Sequence, residues 1–335
     1  MKLATFADSN GLRHTGALMA DGSSMAVLRP GEQTMDGQAS PYFTDMLAFL
    51  QGGPAARDRA QAVLEFIEDR RPPGATIALD DVTPLAPVPV PASVRDGMGF
   101  EQHIINSTRV VGFKRLAFLD EWMEKIFGRN RALAYQLNRT WYERPVYYKG
   151  NRHSAVGTNA EVRIPTYKHM FDYELEFGIY IARQGVDIPP AKARDYIGGY
   201  TILNDFSCRD IQLKEQGGRL GPAKGKDFDT GNAFGPYLVT PDEVPDPYRL
   251  TMVARINGEE WSRGTSADMH YQFEDLIAYI SRSETLYRGD FIGSGTCSGP
   301  GCRGCGLELG RFLKPGDLVE LEVQDLGVLR NRIAR

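Results

Sequence analysis

In the segment FDYELEFGIY, three carboxylic acids stand at alternate positions: Asp172, Glu174 and Glu176. Tyr173, Leu175, Phe177 and Ile179 fill the places between and after them, the period-two pattern of a strand with a buried side. Same-face neighbours on a strand lie about 7 Å apart, close enough for three charges to repel one another. Alternating acids commonly mark a solvated strand face, but two features argue for something else. The same face continues to Gly178 and Tyr180 with no lysine or threonine to break the charge. A further acid, Asp205 in GYTILNDFSCRD, ends an apolar run at a loop. A carboxylate at the mouth of a buried strand is costly unless it is paired or bound to a metal. Oxygen-only ligands suit a hard cation: Mg²⁺, Mn²⁺ or Ca²⁺.

The elements that must position these acids can be read from the same sequence. KLATFAD, HTGALMAD and SMAVL predict short strands joined by turns at Ser9–Gly11 and Asp21–Ser23. FTDMLAFL and PAARDRAQAVLEFIEDR predict helices, with Pro54 suited to a first turn. TPLAPVPVPAS then carries four prolines between Pro84 and Pro91, an extended, stiff stretch that marks a domain boundary. A helical region runs from about Lys114 to Leu137, and beyond Tyr147 strands and glycine-rich loops dominate. Asn257-Gly258 signals a hairpin. The expected fold class is α+β, mainly β. Residues 1–83 are expected to form a small N-terminal β/α domain, 84–94 a proline-rich linker and 95–335 a second, larger domain.

The bulk composition narrows the class of function. The chain has 335 residues, 42% hydrophobic and 24% charged, enough for one large or two smaller cores. A net charge of −4 gives no suggestion of a nucleic-acid partner. No run of 18 apolar residues suggests a membrane span. MKLATFADSN lacks the apolar centre of a signal peptide. The four cysteines, Cys208, Cys297, Cys302 and Cys305, are therefore expected to be reduced in a cytoplasmic protein.

Five motifs in order resemble the fumarylacetoacetate hydrolase family. They are Asp96-x₆-His103; D-x-E-x-E at Asp172, Glu174 and Glu176; N-D-x-S-x-R-D-I-Q from Asn204 to Gln212; G-K-x-F-x-T from Gly225 to Thr230; and G-S-G-T-x-S-G-P from Gly293 to Pro300. The resemblance covers about Arg95 to the C-terminus. It implies a mixed β-sheet roll or barrel of that family's C-terminal type, preceded by the N-terminal domain of its longer members. It makes Asp96, Glu174, Glu176 and Asp205 the ligands of a divalent cation, Mg²⁺ before Mn²⁺ or Ca²⁺. Asp172 is expected to orient its strand rather than to bind the cation. His103 is implied as general base with Glu308 as its orienting carboxylate, and Arg209, Gln212 and Lys226 as stabilisers of the developing charge. Tyr148 and Thr296 are implied, with Arg209, Gln212 and Lys226, as substrate contacts, and Thr230 as a support for Lys226.

The sequence departs from the family's pattern in three places. Met98 stands where a carboxylate-binding tyrosine is expected, so the substrate's acid end is held differently or is absent, with Arg152 as a candidate cation. A segment inserted between His103 and Tyr148 contains the amphipathic LDEWMEKIFG, suited to a lid, a packing helix or a dimer contact. Cys297, Cys302 and Cys305 crowd one glycine-rich loop, where a turn role is expected before a zinc site.

The activity implied by the resemblance is hydrolysis of a carbon–carbon bond in an acylpyruvate-like or other 1,3-dicarbonyl compound, in catabolism of aromatic or related compounds. Decarboxylation, tautomerisation or hydration through the same enolate chemistry is the alternative. A small-molecule dicarbonyl or 2-oxo acid substrate and a homodimer are the expected partners.

Overall fold

Two open sheets and the helices against them carry the fold, and most strands lie where the sequence alternates. The computed structural model describes residues 1–112, 114–167, 170–218 and 220–335. The chain opens with the meander β1 (Lys2–Ala7), β2 (Arg13–Leu18) and β3 (Ser24–Val27). Helices α1 (Leu28–Asp36), α2 (Met46–Gly52) and α3 (Pro54–Arg70) follow. Asp45 caps α2 by accepting from the Ala48 amide at 2.7 Å. Pro54 sits in the first turn of α3, where no amide is needed. β4 (Thr76–Ala78) then pairs with β3, and β5 (Thr83–Pro84) with β1.

The second part begins with β6 (Ser93–Gly97) and four helices, α4 (Glu101–Gly112), α5 (Ala117–Phe127), α6 (Leu133–Leu137) and α7 (Arg139–Glu143). Strands β7 (Tyr147–Gly150), β8 (Ala155–Val156), β9 (Glu161–Arg163), β10 (Phe171–Asp172), β11 (Leu175–Ile181), β12 (Ile197–Asp205) and β13 (Ser207–Cys208) come next. Then come α8 (Arg209–Gly217), β14 (Asn232–Val239), and the hairpin of β15 (Thr251–Ile256) and β16 (Glu259–Thr265). Its turn residues Asn257 and Gly258 both have positive φ, 53° and 82°, as the dipeptide predicts. The chain ends with α9 (Phe273–Ile280), β17 (Asp290–Gly293), α10 (Gly306–Leu309), β18 (Leu318–Val323) and β19 (Gly327–Ala334).

The larger sheet runs β4-β3-β2-β1-β14-β12-β11-β17-β6-β7, and the smaller runs β16-β15-β18-β19-β9. Both are mixed: β6 is parallel to β17 and β9 to β19, while most neighbours are antiparallel. Among the described residues the larger sheet ends at β4 and β7, so the expected roll is built from open sheets and not from a closed barrel. Phe177 and Ile179 of β11 share a core with Met252, Ala254 and Leu321 of the smaller sheet and with Phe273 and Ile277 of α9. No helix among the described residues is long and apolar enough to cross a membrane.

The proline-rich stretch does not stand free in space. Ala86 and Val88 are buried, and the Thr5 hydroxyl donates to the Pro87 carbonyl at 2.6 Å. β1 pairs with β14, joining the N-terminal meander to the strands of the later part. The stretch 84–94 is thus packed against its neighbours in the fold. The segment expected to form one strand from 171 to 180 is also divided. β10 pairs with β13, β11 pairs with β12, and the Glu174 amide between them donates to the Asn204 side-chain oxygen at 3.0 Å. A side chain there replaces a ladder partner.

Phe291 joins the two parts of the chain: its ring packs on Tyr180 and Phe234, in the same core as Leu3, Phe49 and Val63. Phe291→Ala removes that ring and leaves a cavity. It should cost about 3–5 kcal/mol of unfolding free energy in urea titration, the usual range for a buried phenylalanine. A loss under about 1 kcal/mol would mean that the junction does not hold the parts together.

Candidate active site

Both faces of β11 are buried. Glu176 on β11, Asp172 on β10 and Glu174 between these strands are all inside the protein and not on a solvated face. Glu176 lies on β11 opposite Leu203 of β12, and Asp205 ends β12 as its position after an apolar run predicts. Asp96 comes from β6, whose parallel neighbour β17 places Gly293 beside it. A Cβ on Gly293 would lie 2.1 Å from the Asp96 Oδ1. The glycine that opens the G-S-G-T motif is thus required by the close approach of this carboxylate.

Asp96, Glu176 and Asp205 each offer an oxygen within 4.8 Å of the others'. The Glu176 Oε2 and Asp205 Oδ1 are buried and have no hydrogen-bond partner among the described residues. Burial and the nearby Asp205 charge hold the Asp96 carboxyl well above its ordinary range. Burial and repulsion from Asp96 do the same to Glu176. Burial pushes Asp205 up to about 6, against the pull of Lys226. Orphaned buried oxygens on mutually repelling carboxyl groups fit a hard divalent cation, and this donor set has no soft atom.

The fourth expected ligand, Glu174, is held beside this triad rather than within it. Its Oε1 accepts from Arg209 at 2.7 Å and its Oε2 from Lys226 at 2.5 Å. Burial opposes its charge, but Arg209, Lys226 and His103 outweigh that and keep it below the usual carboxylate range. Lys226 also reaches the Asp205 Oδ2 at 2.5 Å, and Tyr148 donates to the same oxygen at 2.7 Å. Arg209, at the start of α8, meets Gln212 one turn later at 2.9 Å. Its Nε bonds Asp172 at 2.7 Å. Asp172 also accepts from the Gly306 and Leu307 amides at 2.7 and 2.9 Å. The expectation that Asp172 orients rather than ligates matches this geometry: it ties α8 to the start of α10.

α10 carries Glu308, and α4 carries His103. The two meet at 2.6 Å between His103 Nδ1 and Glu308 Oε1, while His103 Nε2 lies 4.0 Å from Glu174. Glu308 also accepts from the Ser298 hydroxyl at 2.7 Å and from the Asn106 amide nitrogen. Asn106 and Ser298 were not among the expected site residues. Asn106 was visible as the i+3 neighbour of His103 on one helix face, and Ser298 as the second residue after Thr296. The Thr296 hydroxyl lies 3.3 Å from the Glu176 carboxylate.

A cavity of about 280 Å³ opens over these groups, lined by Asp96, His103, Tyr148, Glu174, Glu176, Arg209, Gln212, Lys226 and Thr296. Met98, Val111, Val146 and Leu213 add an apolar wall. Three expectations fall elsewhere. The Arg152 guanidinium donates to the Ala92 carbonyl, away from this lining. The Thr230 hydroxyl accepts from the Arg163 amide and does not support Lys226. Of the segment inserted after His103, α4 lines the cavity through Ser107 and Val111 and α7 holds the Met98 carbonyl through Trp141, but α5 is not in the wall.

The family model for the fumarylacetoacetate (FAA) hydrolase C-terminal domain matches residues 126–334. The mitochondrial oxaloacetate tautomerase FAHD2A of Homo sapiens is 36% identical over 189 residues, 56% of this chain and 59% of that protein. The chain spans about three-fifths of the length of the first curated relatives it matches. The fumarylacetoacetate hydrolase of psychrophilic Exiguobacterium antarcticum has a similar structure, with TM-score 0.72 at 24% identity and 100% of both chains covered. The 5-carboxymethyl-2-hydroxymuconate delta-isomerase of Mycobacterium smegmatis matches with TM-score 0.67 at 22% identity, again over 100% of both chains. At such identities the two structures establish a shared fold.

The raised carboxyl groups would couple binding of a cation at this triad to proton release. Asp96, Glu176 and Asp205 must be ionised to coordinate, so affinity should rise with pH through and above the value near 6 held by Asp205. Calorimetric titration of Mg²⁺ or Mn²⁺ into chelator-treated protein, repeated in buffers of different ionisation enthalpy, should show protons released. Glu176→Ala and Asp205→Ala should each weaken binding without loss of the fold. Unchanged affinity in both variants, or no proton release at pH 6, would remove the triad as the site.

Proposed function

This chain belongs to the fumarylacetoacetate hydrolase family, and from that premise we propose that it is a divalent-cation-dependent hydrolase. Its proposed reaction cleaves a carbon–carbon bond in an acylpyruvate-like or other 1,3-dicarbonyl acid. The observation that carries this reading is the buried His103–Glu308 pair, whose imidazole lines the same cavity as Asp96 and Glu176 of the carboxylate triad. Hydrolysis needs a group that takes a proton from water, and the pair has that form.

A divalent cation held by Asp96, Glu176 and Asp205, with Glu174 held beside them by Arg209 and Lys226, would supply Lewis acidity toward the substrate's oxygens. Mg²⁺ is proposed before Mn²⁺ or Ca²⁺. The residues do the rest. Glu308, fixed by Ser298 and Asn106, accepts a hydrogen bond from the Nδ1–H of His103 and leaves Nε2 free to act as the base. His103 takes a proton from water as its oxygen bonds to the acyl carbon. The carbon–carbon bond then breaks, its electron pair stays with the 2-oxo acid fragment, and His103 returns the proton to that carbon. Arg209, Gln212 and Lys226 place positive charge and donors near the negative charge that develops. Tyr148 and Thr296 border the same space as substrate contacts.

Tautomerisation is the second reading, supported by the 36% identity to an oxaloacetate tautomerase. It needs proton transfer at carbon and no attack by water. A homodimer is also proposed. α5 leaves Phe118, Leu119, Trp122, Met123, Ile126 and Phe127 exposed, an apolar face of the size that monomers rarely keep in water.

His103→Ala should retain cation affinity and lose roughly 10²–10⁴ in kcat, the range for a positioned general base, with Glu308→Gln less affected. Turnover in ¹⁸O-labelled water should label the carboxylic acid product. A good substrate converted with no label, and with His103→Ala nearly as fast, would favour the tautomerase.

Light scattering should report about twice the mass of the 37.2 kDa chain, and Trp122→Asp with Ile126→Asp should shift it toward one chain. A single-chain mass for the unaltered protein over a wide concentration range would exclude the dimer.

A further inference from the structure

Beside the oxygen triad lies a second group with different ligand chemistry. His103, Cys305 and Glu308 each offer one ligand atom within 4.8 Å of the others', and all three residues are buried. The Cys305 thiol donates to the Glu308 Oε1 at 3.7 Å, the same oxygen that holds His103 Nδ1 at 2.6 Å. The proposed reaction uses the imidazole and the carboxylate but has no use for this sulfur.

We infer that His103, Cys305 and Glu308 form a site for a thiophilic divalent cation such as Zn²⁺ or Cd²⁺, separate from the Asp96–Glu176–Asp205 site, and that its occupation stops turnover. Nitrogen, sulfur and oxygen donors in one cluster suit zinc-like ions, whereas Mg²⁺ and Ca²⁺ prefer oxygen alone. Zinc bond lengths of about 2.0–2.3 Å put tetrahedral donors roughly 3–4 Å apart. The three atoms meet that spacing after small shifts, chiefly an opening of the His103–Glu308 contact. Binding breaks the Cys305 S–H and His103 Nδ1–H bonds and releases both protons to water. His103 itself lines the 280 Å³ cavity, which gives the cluster its path to the solvent.

The inhibitory half of the inference rests on the proposed role of His103; the binding half does not. The test is a Cd²⁺ titration of the Mg²⁺-loaded protein, read by the ultraviolet charge-transfer band that only a thiolate-bound cadmium gives. The expected result is a band that saturates at one equivalent, persists in Cys297→Ser and Cys302→Ser, and is lost in Cys305→Ser and in Cys305→Ala. His103→Ala should weaken the titration at least tenfold. Circular dichroism identifies any variant that has lost its fold. No band in the unaltered protein, a band that survives in a folded Cys305 variant, or His103→Ala affinity equal to the unaltered protein's would each overturn the site. With a 1,3-dicarbonyl acid that the enzyme cleaves, one equivalent of Cd²⁺ should reduce the rate at least tenfold, and Cys305→Ser should keep most of its own rate. A stoichiometric, Cys305-dependent band with undiminished turnover supports the site and counts against His103 as the base.

Discussion

Everything near the cavity follows from the cost of burying acid. Asp96, Asp172, Glu174, Glu176 and Asp205 lie inside the protein, and among the described residues the buried lysine and arginine side chains in contact with them are Arg209 and Lys226. A charged group taken from water is tolerated when it is paired, protonated or bound to a cation. The protein divides the five acids accordingly. Asp172 and Glu174 have their oxygens taken up by Arg209, Lys226 and backbone amides. Asp96 and Glu176 are left with burial and mutual repulsion, and Asp205 keeps an orphaned buried oxygen although Lys226 and Tyr148 hold its other one, which is the condition that gives a site affinity for a divalent cation. The same division explains why Arg209 matters beyond its charge. Its planar fork reaches Asp172, Glu174 and Gln212 at once, a geometry that a lysine ammonium does not reproduce.

The acidic strand and Asp205 were legible from residue types alone, because alternation and an acid at a strand end are local signals. The hairpin at Asn257-Gly258 was legible for the same reason. Asp96, His103 and Glu308 required resemblance: His103 and Glu308 are 205 positions apart and meet through α4 and α10, which no period in the sequence relates. Spacing gives the face on which Glu174 lies but not its partner, so its commitment to Arg209 and Lys226 emerged only in three dimensions. Arg152 and Thr230 were misplaced because both sit in loops, where side chains answer to nearby backbone groups, the Ala92 carbonyl and the Arg163 amide. The division of the 171–180 strand was hidden because the interruption is made by Asn204, a side chain from the neighbouring strand.

The helical insertion separates two tasks that its sequence could not. α4 faces inward and brings His103 to Glu308, while α7 steadies Met98. α5 has its apolar residues outward, although its own charge pairs are made: Asp120 and Glu124 both bind the buried Arg109 of α4. An amphipathic helix anchored through its polar side presents its apolar side to something else. The arrangement explains why amphipathicity alone left lid, packing and interface open: the period shows that a helix has two faces, and only the ion pair with Arg109 shows which one is turned toward the chain.

Glu174 stands between the two chemical poles of the cavity, and its position accounts for their independence. The imidazole Nε2 is 4.0 Å from its Oε1, yet that oxygen already accepts from Arg209. The charge of Glu174 is therefore largely spent on the guanidinium and on Lys226, and the histidine's firm partner is Glu308. On the other side, Lys226 reaches both Glu174 and Asp205 and so links Glu174 to the triad. A carboxylate neutralised in this way can lie within contact distance of a base and a cation site without merging them. The proposed hydrolysis needs that separation, a hard cation at the oxygen pole and an imidazole lone pair kept for a proton at the nitrogen pole.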